Sequence, residues 1–228
     1  MSQLALPLKL QDHAVFESFL PGGNEALVAF LESTVATGAG TGGWIWGAPS
    51  TGKTHLLQAV CERAADRAQF LPLNDFRHAG PAVLEGLQSR QFVCLDDVDS
   101  VAGDAQWEVG LFSLFNALRD TGMVLVCSAA APARESNFAL ADLVSRFSML
   151  PAFHIEPLKE PERIEALQLR AHHRGLDLPA ETASYLLLRS KRDMASLYAL
   201  LDKLDSEALK AQRKLTIPFV REVLDFSQ

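Results

Sequence analysis

Cysteine, basic charge and long apolar runs are all scarce in this sequence, and each scarcity removes a class of protein. The three cysteines, Cys61, Cys94 and Cys127, cannot all pair with one another and show no metal-ligand spacing, so neither a disulfide framework nor a cysteine metal site is expected. Two of them lie inside apolar runs that read as buried strands, where a reduced thiol behaves as a small hydrophobe, which points to a reducing cytosol. The 21 lysines and arginines against 28 aspartates and glutamates give a formal charge of −7, which disfavours a domain that grips nucleic acid through a basic face. Met123 to Ala133, the longest apolar stretch, is too short to span a bilayer. The opening Met-Ser-Gln-Leu-Ala-Leu-Pro lacks the basic start and cleavage site of a secretory signal, so a cytoplasmic protein with no membrane partner is expected. What remains is an ordinary globular composition, 48% hydrophobic and 21% charged over 228 residues, enough for one large domain or two small ones.

Asn24 is placed to cap a helix running to about Val35, followed by the glycine-rich turn 38–43. Trp44-Ile45-Trp46 reads as a short buried strand, and a helix follows from Lys53 to about Asp66. Phe70-Leu71-Pro72-Leu73 and Phe92-Val93-Cys94-Leu95 are the next strand candidates, the latter ending in two carboxylates. Trp107, Leu111, Leu114, Phe115 and Leu118 recur at helical spacing, and Gly122 closes that helix. Val124-Leu125-Val126-Cys127 and Phe153-His154-Ile155 complete the strands. Strands that are apolar throughout, alternating with amphipathic helices, predict an α/β fold with a parallel sheet sandwiched by helices. After Glu156-Pro157 only helical periodicity is found, broken at Gly175, at Pro179 and near 190–193. Met194, Leu197, Leu201 and Leu204 form one core stripe, and Thr216 with Pro218 starts a last helix carrying Phe219, Val220 and Val223. The expected division is a flexible tail over 1–12, a nucleotide-binding α/β part over 13–156 and a small all-helical part over 157–228.

Gly47-Ala48-Pro49-Ser50-Thr51-Gly52-Lys53-Thr54 is a complete G-x-x-x-x-G-K-[ST] motif, lying after a strand and before a helix as its mechanism requires. Glycines let the backbone curl so that several N–H groups face one anion, and the helix N-terminus adds its partial positive charge. A fortuitous match arises in roughly one random chain in a hundred, before strand and helix context is asked for. Lys53 is expected to reach the β and γ phosphates of ADP or ATP, and Thr54 to ligate Mg²⁺. Asp96 and Asp97 end a parallel strand, beside the phosphate crevice. There Asp96 is expected to hold Mg²⁺ through water and Asp97 to orient an attacking water; without the phosphate loop they would read as solvated loop carboxylates. Ser128, after the fourth strand, is placed to reach a γ-phosphate or that water, with an ordinary strand-end serine as an equal reading. Arg146 precedes the fifth strand in Ser145-Arg146-Phe147. A guanidinium offered to a neighbouring subunit's nucleotide is worth about 10³ to 10⁵ in rate, though a lone arginine is more often a surface cation. His13, His55, His78, His154, His172 and His173 are scattered, and the last two lack the spacing of a helical metal pair.

Phosphate loop, Asp-Asp strand end, Ser145-Arg146-Phe147 and an all-helical C-terminal part together resemble an AAA+ ATPase core with its lid. Phe16-Glu17-Ser18-Phe19, then Gly22, Gly23 and Asn24, is similar to the adenine-pocket segment of the branch of the bacterial replication initiator DnaA, and Asp96-Asp97-Val98 resembles its Asp-Asp-Ile. The start, Gln3-Leu4-Ala5-Leu6-Pro7-Leu8, resembles the sliding-clamp-binding motif of the Hda family, the regulatory inactivators of DnaA. The stretch from Ala211 to Val220 is also similar to that family, so the resemblance runs over essentially the whole chain. Physically, such a tail would lay Gln3 into a polar notch while Leu6 and Leu8 fill an apolar groove, with Pro7 reducing the ordering cost.

The resemblance implies that Phe16, Phe19, Asn24, His55 and the phosphate loop hold ADP or ATP. It implies that Gln3, Leu4, Leu6, Pro7 and Leu8 dock on the β sliding clamp, so that DNA is met indirectly through the loaded ring. It further implies that Arg146 acts as an arginine finger in trans on ATP held by DnaA, which is left in its inactive ADP form, so that a negative regulator of initiation that forms homo-oligomers is expected. The helix-turn-helix DNA-binding domain of a full initiator is not expected after the lid. Two departures matter: Ala195, flanked by Met194 and Ser196, stands at the second sensor arginine of the family, with Arg192 displaced by most of a helical turn. Ala130 stands where relatives carry an aspartate after Ser128. With the phosphate loop intact, nucleotide binding is expected, and the two losses predict weak or negligible intrinsic hydrolysis. The alternatives are a self-contained AAA+ ATPase of helicase-loader type, which the Gln3 to Leu8 motif disfavours, and a small-molecule phosphotransferase, which the helical lid disfavours.

Overall fold

The computed structural model describes residues 14–189, 193–211 and 213–225; Gln3, Leu4, Leu6, Pro7, Leu8 and Arg192 lie outside them. Five parallel strands, β1 (Gly42–Trp46), β2 (Ala68–Pro72), β3 (Phe92–Asp96), β4 (Val124–Ala129) and β5 (Ala152–His154), form one sheet in the order β2-β3-β4-β1-β5. Every residue of β3 and β4 is buried, as the unbroken apolar runs require, whereas the edge strand β5 is largely exposed. Gly42 opens β1 at φ +86°, and a Cβ there would stand 1.7 Å from the Leu125 carbonyl oxygen, so only glycine lets β1 start against β4.

Helices α1 (Glu25–Thr37), α2 (Lys53–Ala64), α3 (Leu73–Phe76), α4 (Ala105–Asp120) and α5 (Ala141–Phe147) belong to this part of the chain. Alternate strand residues, Trp44, Val93, Leu95, Leu125 and Cys127, join Trp107, Leu111 and Leu118 of α4 and Leu143 and Phe147 of α5 in one core. The intervening Cys94 turns the other way, toward Cys61 of α2, whose thiol, with burial, pushes the Cys94 thiol well up and keeps it protonated. All three cysteines are buried and free. Two buried indoles satisfy their single donor: Trp44 Nε1 donates to the Ala131 carbonyl at 3.0 Å and Trp107 Nε1 to that of Arg77 at 3.2 Å.

Asn24 precedes α1 as expected but its side chain does not cap it. Instead Nδ2 donates to the Glu156 carbonyl at 3.1 Å and Oδ1 accepts from the Glu156 N–H at 2.8 Å. A primary amide presents an N–H donor and a carbonyl acceptor side by side, so it pairs with both main-chain polar groups of one residue where a cap would use the oxygen alone.

The chain divides into two compact units, one containing Phe16 and Asn24–Glu156, the other Glu17–Gly23 and the residues from Pro157 onward. Helices α6 (Glu160–His173), α7 (Ala180–Arg189), α8 (Met194–Ala211) and α9 (Ile217–Asp225) make up the second unit. Their common core includes Leu167, Leu186, Leu197, Leu201, Leu204, Phe219 and Val220, with Leu20 and Leu158 packed against it. The chain turns at Gly175 in the left-handed region. Among the described residues no helix is long and apolar enough to cross a membrane.

Candidate nucleotide-binding site

Between β1 and α2 the backbone curls through three positive φ angles, at Gly47 (155°), Ser50 (62°) and Gly52 (100°). Ser50 holds this conformation without glycine's freedom, a strain that the surrounding structure must impose. A Cβ on Gly47 would lie 2.6 Å from the Ile155 carbonyl oxygen, so the loop runs hard against the chain leaving β5. Gly52, at the N-cap of α2, brings no side chain to the first helical N–H groups. Those donors are what an anion at a helix N-terminus uses. Lys53 lies across the loop: Nζ donates to the carbonyls of Gly47 at 2.8 Å and Ala48 at 2.9 Å. Burial pulls its ammonium pKa down, opposed by the charges of Asp97, Asp96 and Asp99.

Asp96 ends β3, buried, and both its oxygens are occupied: Oδ2 accepts from the Thr54 hydroxyl at 2.7 Å, and Oδ1 from the Ser128 hydroxyl of β4. The Ser128 oxygen in turn accepts the Asp97 N–H at 2.9 Å. Ser128 is fully buried, and its proton is spent on Asp96; in this arrangement it sets the direction of that carboxylate. Asp97 sits in the left-handed region at φ 51°, a conformation aspartate tolerates better than most residues. Burial, then the charge of Asp96, holds its carboxyl above the ordinary carboxylate range against the opposing pull of Lys53.

Thr54 and Asp96 present hard oxygens at one point, chemistry that fits Mg²⁺. Among the described residues no group of three or more His, Cys, Asp or Glu forms a cage for a metal ion. An ion here would therefore be held by Thr54, water and phosphate oxygens, as Mg²⁺ prefers. Sequence reasoning missed Asp99, whose Oδ2 accepts the Ala130 N–H at 3.0 Å and so ties the segment after β3 to the end of β4. The third acid in four residues was the available signal.

Of the residues expected at the nucleobase, Phe16 is buried with the Arg63 guanidinium 5.4 Å above its ring, and His55 Nε2 lies 2.9 Å from the Val15 carbonyl oxygen. These put Val15 and Phe16 against α2. Asn24 is committed to Glu156, and half-buried Phe19 lies in the helical unit.

Arg146 occupies the last turn of α5, half-buried, beside Phe147, which is inserted between Trp44 and Phe115. Its guanidinium lies 5.9 Å from the centre of the Phe112 ring, with Nη1 4.0 Å from the Met149 sulfur. Among the described residues no carboxylate pairs with it. The helical unit places Ala195, exposed, as the second residue of α8, after Asp193, whose carboxylate accepts the Ser196 N–H and hydroxyl, each at 2.8 Å.

Residues 160–224 match the family model for the Hda lid domain. Over 93% of its length the chain superimposes on 95% of domain III of the replication initiation protein DnaA from Thermotoga maritima, with a TM-score of 0.78 and 22% identity. It is similar to AMPPCP-bound DnaA from Aquifex aeolicus, with a TM-score of 0.70 and 23% identity over 86% of this chain and 66% of that one. The RuvB Holliday junction branch migration motor of Thermotoga maritima shares the fold at a TM-score of 0.61 and 15% identity, over 89% of this chain and 67% of that one. The chain thus carries an Hda lid domain at 160–224 and has, over nearly its whole length, the fold of DnaA domain III.

Proposed function

We propose that this chain is a nucleotide-bound adaptor of the bacterial cytoplasm that limits initiation of chromosomal replication. It takes up ADP or ATP with Mg²⁺ on residues 47–54, docks on the DNA-loaded sliding clamp through Gln3, Leu4, Leu6, Pro7 and Leu8, and offers Arg146 to ATP held by DnaA. The observation that carries this reading is the Hda lid match over 160–224. A guanidinium resting on Phe112 and Met149, with no carboxylate to neutralise it among the described residues, supports the role given to Arg146. In the chain's own site Thr54 directly, and Asp96 through water, would hold the metal, and Asp97 would orient water. The alanine at position 195 offers no cation, so turnover there is slow.

Hydrolysis of DnaA-bound ATP in the presence of clamp-loaded DNA, with and without this protein, tests the reading; stimulation is expected. Arg146→Ala should keep nucleotide and clamp binding and lose stimulation, whereas retained stimulation removes the assignment. Gln3→Ala with Leu6→Ala should abolish clamp capture in a pull-down. The intact Thr54–Asp96 pair and the raised Asp97 carboxyl favour one second reading, an ATPase of helicase-loader type acting on its own ATP. Multiple turnovers per second by the isolated protein would decide for it.

A further inference from the structure

Glu108, on the first turn of α4, is 1% exposed, and its carboxylate is surrounded by backbone donors. Oε1 accepts the N–H of Gly103 at 2.7 Å and of Ala139 at 3.0 Å; Oε2 accepts that of Leu140 at 2.6 Å. Among the described residues no lysine or arginine pairs with it. A buried carboxylate is retained only where charge-assisted hydrogen bonds replace its water, and here they come from the main chain. Ala139 and Leu140 are the two residues immediately before α5, and Leu140, its N-cap, makes no side-chain cap hydrogen bond. Glu108 therefore fixes the backbone where α5 begins.

Helix α5 has seven residues, with Leu143 and Phe147 sunk in the core and Arg146 one position before the second of these anchors. One turn along α4 from Glu108, Phe112 lies under the Arg146 guanidinium. A single helix thus holds both the start of α5 and the group that α5 carries. We infer that Glu108 is the positioning residue for Arg146, setting the path of α5 so that the guanidinium leaves the surface at a fixed place and direction. This rests on the proposed action of Arg146 on the partner's ATP.

The test titrates intact protein, Glu108→Gln, Arg146→Ala and the double variant into DnaA-bound ATP with clamp-loaded DNA. The glutamine replaces an acceptor oxygen by an NH₂ group facing main-chain donors. We expect the maximal stimulated rate to fall about tenfold or more, since misplacing a catalytic group by about an ångström can cost about a hundredfold. The half-saturating concentration and ADP affinity stay within about twofold, and the double variant is no slower than Arg146→Ala, as expected for residues acting as one unit. A role in stability alone would lower the folded fraction, raising the half-saturating concentration with the maximum intact; that pattern, or losses that add, overturns the inference. If Arg146→Ala itself stimulates fully, the reading of Arg146 fails instead. Should Glu108→Gln not fold, Glu108→Asp, which keeps the charge and shortens the reach, is judged by the same maximum.

Discussion

The Thr54 hydroxyl donates to Asp96 Oδ2 at 2.7 Å, joining the first turn of α2 to the end of β3. A hydroxyl that spends its proton on a carboxylate keeps its lone pairs for a cation, so under the proposed function the bond would orient Thr54 for metal ligation. Asp96→Asn keeps the shape and removes the charge. ADP affinity in Mg²⁺ should fall about tenfold, roughly the worth of one charge-assisted contact, and converge on the value in EDTA. Calorimetry with and without the metal checks this; an unchanged response to Mg²⁺ would remove Asp96 from the site.

Asp97 gives a pH dependence whose sign is fixed. Its folded carboxyl titrates above the unfolded one because burial and then Asp96 disfavour its charge. Such a group favours the folded state below the unfolded carboxylate pKa of about 3.9, and that favour is lost as pH rises through the folded value. Asp97→Asn should therefore have a higher urea midpoint than the parent at pH 7, with the gap narrowing below about pH 4. Because asparagine also suits the left-handed backbone, a small gain independent of pH is expected to remain. A gap that widens on acidification would contradict the assignment.

In the helical unit Asp202 serves two arginines, Arg174 Nη1 at 2.6 Å and Arg170 Nη2 at 3.8 Å, while the Arg170 guanidinium lies 4.3 Å from the centre of the Tyr198 ring. Arg170 is buried, and the Nε atoms of both arginines have no hydrogen-bond partner. Asp202→Ala should cost about 1 to 3 kcal/mol, less than breaking a fully buried pair because Asp202 is half-exposed. Asp205→Ala, which removes a contact at 3.8 Å, should cost less. Urea unfolding measures both, and equal losses would show that Asp202 holds no special place.

Gly42→Ala should prevent stable folding of the α/β unit, because the new methyl meets the Leu125 carbonyl within the sheet. At Gly122, also at positive φ but with no atom within 4 Å of the added carbon, alanine should cost only about 1 to 2 kcal/mol. Thermal melting of the two variants separates steric collision from backbone strain.

Much of the fold was legible because its causes are local. Buried parallel strands such as Phe92–Asp96 require apolar runs, and the phosphate loop requires glycines at fixed spacing. The break after α6 at Gly175 carries its own signature. β2 begins two residues before the apolar run that revealed it, since Ala68 and Gln69 are only half-buried and show no hydrophobic signal. What stayed illegible depends on distant main-chain groups. Glu108 stands at the edge of the apolar face of α4, and nothing in the side chains of Ala139 or Leu140 announces that their N–H groups meet it. Asn24 has the residue type and position of a cap, and only the folded chain brings Glu156 to it. Ser128 could be placed at a strand end, but not turned toward Asp96, from sequence alone.

The indoles have a consequence for anyone who follows this molecule optically. All three, Trp44, Trp46 and Trp107, lie in the α/β unit, and both phenols, Tyr185 and Tyr198, lie in the helical one. Emission excited at the red edge of the absorption band therefore reports melting of the sheet-containing unit alone. Loss of the helical unit passes unseen unless far-ultraviolet dichroism is recorded beside it.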